Sequence, residues 1–134
     1  MCDNIGRVQM IKGIHHVCIK CDTQEKYEET IRFYQDVLKM EIKRQWDSGA
    51  MMDTGAGLIE IFNQEDAPLE QGVIRHFALA TDCVDDVVDA VRKAGYPITV
   101  ELKDVTIPCE EPYSIRIAFC TGPMGEEIEL FQEK

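Results

Sequence analysis

The chain has 134 residues, 45% of them apolar and 29% charged, which suits one folded domain or two half-size modules sharing a core and excludes a disordered or membrane-spanning chain. Lysine and arginine number 14 against 25 aspartates and glutamates, a net charge of −11, so phosphate backbones and anionic lipids are repelled and neither nucleic acid nor membrane is expected as a partner. The opening MCDNIGRVQMIKG lacks the apolar stretch and cleavage site of a secretory signal, so a cytoplasmic protein with reduced thiols is expected.

Taken in chain order, residues 11–21 (IKGIHHVCIKC) read as a strand, rich in alternating and β-branched positions. Of the six cysteines, Cys18 and Cys21 form a CxxC within it. Three apart on a strand, they point to opposite faces, so they read as packed or half-exposed thiols, not as a redox or zinc pair. Cys2, Cys83, Cys109 and Cys120 stand apart from one another. Residues 24–39 (QEKYEETIRFYQDVLK) predict one amphipathic helix, with Tyr27, Ile31, Phe33 or Tyr34, and Leu38 on its apolar side. Strands follow at 41–46, 50–54 and 57–63, turning at Asp47-Ser48-Gly49 and Gly55-Ala56-Gly57. The polar stretch NQEDAPLEQG reads as a linker.

Then the order restarts. Residues 73–81 (VIRHFALAT) predict a strand and residues 83–94 (CVDDVVDAVRKA) a helix, capped by Asp82 and stopped by Gly95. Strands are expected at 97–102, 113–120 and 127–132, with a loop at 104–112. The pattern is βαβββ twice. A shift of 60 residues lays GIHHVCIKCD on VIRHFALATD and His16 on His76; a shift of 69 lays IEIFNQ on IELFQE and Glu60 on Glu129. The extra residues of the second half are expected in the 104–112 loop.

Strand alternation then sorts the side chains. Ile59 and Ile61 share one face, and Glu60 takes the other; Ile128 and Leu130 are likewise opposed to Glu129. Val17 and Ile19 pack beside His16, as Phe77 and Leu79 do beside His76. Each module thus sends one imidazole and one carboxylate to the side away from its helix. Singly, each is as compatible with a hydrogen bonder or a solvated charge. Paired about a pseudo-two-fold axis, His16, Glu60, His76 and Glu129 would converge as a nitrogen and oxygen donor set for one divalent ion: Ni, Co, Zn, Mn or Fe. His15, of opposite parity, reads as structural or exposed, and Glu126 and Glu127 read as turn and edge charges.

These motifs resemble the vicinal oxygen chelate superfamily, which includes glyoxalase I, methylmalonyl-CoA epimerase, extradiol dioxygenases and fosfomycin-resistance proteins. HHVCIKC resembles its opening strand. RFYQDVLKMEIKRQ resembles its FY-x-x-VLGM segment, with Lys39 where glycine is usual. GLIEIF resembles the strand carrying the first Glu ligand, and RHFALATDCVDDVVDAVRKAGY the opening of the second module. IAFCTGPMGEEIELF resembles the closing F-x-x-DPDG-x-x-IEL, with Gly122 and Met124 in place of the two aspartates.

The resemblance implies an α+β fold: a single domain over 1–134 of two tandem βαβββ modules, about 9–66 and about 72–134. Their strands would curl into a cup-shaped mixed sheet around one metal ion, within a chain or across a homodimer. A complete four-ligand set is similar to bacterial glyoxalase I. It implies a metal-dependent lyase or isomerase that removes a proton next to a carbonyl and stabilises an enediolate, as in converting the methylglyoxal–glutathione hemithioacetal to S-lactoylglutathione. Glu129 would be the base, with Glu60 its opposite-face partner. Methylmalonyl-CoA epimerase-type racemisation and non-catalytic binding of a small molecule are the alternatives. A substrate with vicinal oxygens, a glutathione or CoA thioester, needs cations. Arg116, alternating with Ile115 and Ile117, is a candidate for the cup face; Arg44, Lys43 and Arg75 are rim candidates. Trp46, Met51, Met52 and Tyr113 would line an apolar wall or join the core.

Overall fold

The computed structural model describes residues 14–63, 76–108 and 111–134. Cys2, Cys109, Arg75, the strand starts expected at 11–13 and 73–75 and nearly all of the linker lie outside these residues. Period-two alternation gives β1 (His16–Lys20), β2 (Glu41–Trp46), β3 (Gly49–Asp53), β4 (Leu58–Phe62), β5 (Phe77–Ala80), β6 (Ile98–Ile107), β7 (Tyr113–Thr121) and β8 (Glu127–Glu133). Helix α1 (Gln24–Arg32) crosses from β1 to β2, and α2 (Val84–Lys93) from β5 to β6. The sheets run β1-β4-β3-β2 and β5-β8-β7-β6. In each, the first strand lies parallel to the last, and the other pairings are antiparallel. The doubled βαβββ unit is therefore real, and the fold is α+β. Among the described residues no strand of one sheet pairs with a strand of the other, so the chain holds two four-stranded mixed sheets and not one continuous sheet.

Local chemistry sets the helix limits. Thr23 caps α1, its hydroxyl accepting from the Lys26 amide at 3.1 Å. The single helix expected over 24–39 instead ends at Arg32 and widens into a π-helical turn, Phe33–Val37, closed by Leu38 N–H donating to the Phe33 carbonyl. Two consecutive aromatics of that turn, Phe33 and Tyr34, are both buried. Asp82 does not cap α2. Cys83 occupies the cap position without a side-chain bond, and the Gln132 side chain of β8 accepts from the Val84 amide at 2.8 Å. Gly95 ends α2 as expected, at φ 90°. The second module's extra length extends β6 and β7 to ten and nine residues, against six and five for β2 and β3.

One core joins the modules. Ile19, Tyr27, Phe33, Met52 and Ile61 of the first cluster with Val84, Val88, Val91, Ile128 and Leu130 of the second. Three polar and aromatic contacts cross the seam. Phe33 and Tyr96 pack edge to face with centroids 4.6 Å apart, Tyr96 donates to Glu29 at 2.9 Å, and Tyr34 donates to Glu126 at 2.9 Å. Glu126 is thus no turn charge. Its carboxylate folds under the β7–β8 turn and also accepts from the Met124 amide at 2.7 Å. Gly122 makes the room, since a Cβ there would lie 2.5 Å from the Glu126 carboxyl carbon. Cys21 and Cys120 are buried thiols, both pushed up by burial, Cys120 to about 12. No helix among the described residues is long and apolar enough to cross a membrane.

Lys39 adopts φ 62°, where a Cβ is strained, so Lys39→Gly should stabilise the fold by about 0.5–1 kcal/mol in urea denaturation. A destabilised variant would show that the Lys39 side chain outweighs that strain. Gly122→Ala should expel the Glu126 carboxylate and cost about 1–3 kcal/mol. Burial holds the Glu126 carboxyl above the ordinary carboxylate range, outweighing its hydrogen bonds. The folded state therefore binds that proton more tightly than the unfolded state. The group's contribution to stability falls as pH rises from the ordinary carboxylate value through the raised one. Glu29, Asp85 and Asp104, held low by their partners, slope the other way. The effect is therefore isolated by comparison with Glu126→Gln, whose stability relative to the parent should improve between about pH 5 and about pH 8; a constant difference contradicts it.

Candidate metal centre

Residues directly opposite in neighbouring strands project to one face. On the open face of the first sheet this gives three rows. His16 lies beside Leu58 and Asp53; Cys18 beside Glu60, Met51 and Arg44; Lys20 beside Phe62, Gly49 and Trp46. The opposite face carries Ile19, Ala50, Met52, Ile59 and Ile61 into the core. Simple alternation in β2 would group Lys43 with Glu41 and Gln45. A bulge between Ile42 and Arg44 resets the phase, and this slip brings Arg44 and Trp46 to the Glu60 face. Arg44 Nη1 lies 3.0 Å from the Met51 sulfur. Trp46 leans on Phe62, and Gly49 leaves room for both, since a Cβ there would meet the indole at 2.8 Å. Met52 is core, and Met51 is on the open face.

The second sheet repeats the plan. Glu129 lies beside Ala78, Phe119 and Val100, and Phe131 beside Ala80, Ile117 and Lys103. Tyr113 stacks obliquely on Phe131 and donates to Glu133. Arg116 does not share this face. Its row runs through Gln132 and Asp104, and its guanidinium donates to Asp85 of α2 at 2.8 and 3.0 Å, with Asp104 at 3.4 Å. Ile115 and Ile117 are the residues on the Glu129 side, buried there outside the helix-packed core. The helix-covered side of β7 is that of Ala118 and Cys120, and Arg116 belongs to it. Two register slips in β6 hide the cation that does share the Glu129 row system, Lys103.

Each module closes one imidazole on one carboxylate. His16 Nε2 stands 3.4 Å from Glu60 Oε1, and His76 Nε2 stands 3.3 Å from Glu129 Oε1. The glutamates are 12% and 14% exposed, the histidines 37% and 35%, so the carboxylates sit deep and the rings lie over them. Both separations exceed a good N–H···O hydrogen bond of about 2.7–3.2 Å. They match neighbouring donors on a cation bound at about 2.0–2.2 Å, which lie about 3.0–3.5 Å apart. Each ring's other nitrogen has a neighbour that the sequence did not single out. His15 Nδ1 is 2.9 Å from His16 Nδ1, and Glu127 Oε1 is 3.9 Å from His76 Nδ1. Burial, then the Glu60 carboxylate beside it, pushes the Cys18 thiol up.

The donors fit a divalent ion as two halves. Among the described residues no three His, Cys, Asp or Glu side chains gather around one point. His16–Glu60 and His76–Glu129 therefore do not meet within a chain, and the convergence expected of the four is not achieved by this chain's own packing. The reason is the shared core: the modules meet through their helix-covered faces, and the donor faces are the other sides of the two sheets.

Comparison with known proteins agrees with this architecture. The chain superposes on the glyoxalase family protein of Enterococcus faecalis with a TM-score of 0.68 at 21% identity, over 92% of this chain and 99% of that one. For a virulence protein of Salmonella typhimurium the values are 0.67 and 23%, over 94% and 100%. For the trypanothione-dependent glyoxalase I of Leishmania major they are 0.66 and 21%, over 92% and 88%. At these identities the likeness speaks to the fold. No curated protein matches the sequence significantly. The family model that matches residues 13–130 spans both modules and both donor pairs, and by it the chain belongs to the Glyoxalase/Bleomycin resistance protein/Dioxygenase superfamily.

Proposed function

We propose that the protein is a divalent-metal-dependent lyase or isomerase of glyoxalase I type. It works as a homodimer in which His16 and Glu60 of one copy and His76 and Glu129 of a second copy hold one Ni, Co, Zn, Mn or Fe ion. The observation that carries this reading is the repetition of one imidazole–carboxylate pair, at 3.4 and 3.3 Å, on the open face of each sheet. Neither pair finds its complement among the described residues of its own chain, so a second copy supplies it. The four described cysteines are free thiols, which suits a cytoplasmic protein.

When bound, the ion would polarise the vicinal oxygens of a substrate and ease removal of the proton next to its carbonyl. The rest falls to the chain. Each glutamate has two oxygens, one facing its histidine, which leaves the other to take or return a proton. Glu129 removes the proton, and Glu60, arriving from the facing module, stands on the opposite side of the same carbon. Beside His16 a cavity of about 410 Å³ is lined by Lys43, Arg44, Asp53 and Leu58. Neither cation makes an ion pair among the described residues, so both are open to an anionic group such as a glutathione carboxylate. Trp46 and Phe62 pack together on the same open face, outside the lining of that cavity.

Glu129→Gln should slow thioester formation from methylglyoxal and glutathione about 100-fold or more, with metal content measured on the same sample. Full turnover with metal retained removes the base assignment. The shared site has a sharper test. A chain with His16 and Glu60 both changed to Ala and a chain with His76 and Glu129 both changed to Ala should each bind no metal alone. Mixed as heterodimers they should recover one intact site in two. Mixtures as empty as their parents contradict a site shared between copies.

A further inference from the structure

The sequence gives His15 no role, yet its Nδ1 lies 2.9 Å from Nδ1 of His16, with the rings at 84°. Two imidazole nitrogens at that distance share one proton: one donates and the other accepts. His16 Nε2 meanwhile faces Glu60 at 3.4 Å. Without a cation, a proton on Nε2 is attracted to that carboxylate, and a lone pair there is repelled. His16 Nδ1 is then the acceptor and His15 Nδ1–H the donor. A cation held by His16 needs the reverse, an Nε2 lone pair and therefore a proton on Nδ1. Only a partner that can both give and take a hydrogen bond serves both states. His15 is such a partner, and its exposure lets its own Nε2 exchange protons with water.

We propose that His15 is a positioning residue that holds the His16 ring in both tautomers, so that an ion can enter without leaving either ring nitrogen unpaired. This rests on the metal reading of the site. The protons balance. The shared proton passes from His15 Nδ1 to His16 Nδ1, His16 Nε2 releases one to water, and His15 Nε2 takes one from water. The two rings hold two protons before and after. The second module is built differently. The neighbour of His76 Nδ1 is the carboxylate of Glu127, 3.9 Å away and beyond hydrogen-bond reach. The two halves of the site therefore differ in what the Nδ1 of the ring meets.

Nitrogen-15 NMR of the histidine rings at about pH 8.5 reads the tautomers directly. In the metal-free protein the proton of His16 should sit on Nε2 and that of His15 on Nδ1. Titration with zinc should exchange both positions. His15→Phe should weaken zinc binding about 10–100-fold. His15→Asn, whose amide both donates and accepts near the place of Nδ1, should stay within about threefold of the parent. His15 is exposed, so neither variant disturbs the core. If zinc binds the parent and both variants equally, or if the His16 tautomer is the same with and without zinc, His15 has no such role and the metal site stands without it. If the parent takes up no zinc, the metal reading itself fails, and this role with it.

Discussion

The account depends on the two-residue period of a strand, locked by pairing. In β4 and β8 a carboxylate is flanked by aliphatics, and burying the aliphatics under a helix forces the carboxylate out on the other side. Parallel pairing then fixes its neighbour. β1 lies against β4 and β5 against β8, with Cys18 opposite Glu60 and Ala78 opposite Glu129, so His16 and His76, two residues earlier on the same face, reach those carboxylates diagonally. A slip of one residue in either pair would bury a glutamate and expose an isoleucine or leucine. Core packing and donor placement are thus one constraint, and stability cannot be had without presenting the donors.

The cost of that arrangement is that a chain spends its helix-covered faces on itself. Phe33, Tyr34 and Tyr96 fill the seam between modules, and Glu126 and Glu29 accept hydrogen bonds from the two tyrosine hydroxyls there. With the modules joined this way, the donor faces are left as two half-sites. The seam also explains the two departures in the closing turn. Gly122 stands where an aspartate is usual because the Glu126 carboxylate fills the space a side chain would need. Met124 lends its backbone amide to the same carboxylate and packs against the core.

Much of this was legible in the sequence, because the repeat tied each weak signal to a second copy. Lone strand histidines say little, but two at matching places, each with a glutamate of matching parity, define the sheet faces and both pairs. Elsewhere the period misled or fell silent. The bulge at Lys43 and the slips in β6 reset alternation without a marker in the residues, so the facing of Arg44 and Lys103 had to be seen. Arg116 was misplaced because isoleucines line both faces of the second sheet, and its acidic partner on α2 is 31 residues away. The π-turn at Phe33–Val37 interrupts the helix with no marker in the residue spacing. His15 was hidden because its role is toward its neighbour's ring nitrogen and not toward a sheet face.

The central claim is that the two half-sites are complements, closed by a second copy. A crystal of the metal-loaded protein, with anomalous data collected at the absorption edge of the ion, tests it most directly. The account predicts one anomalous peak per chain, within bonding distance of His16 and Glu60 of one copy and of His76 and Glu129 of the other. A peak on any other set of residues, or fully loaded copies whose two pairs remain apart, contradicts it.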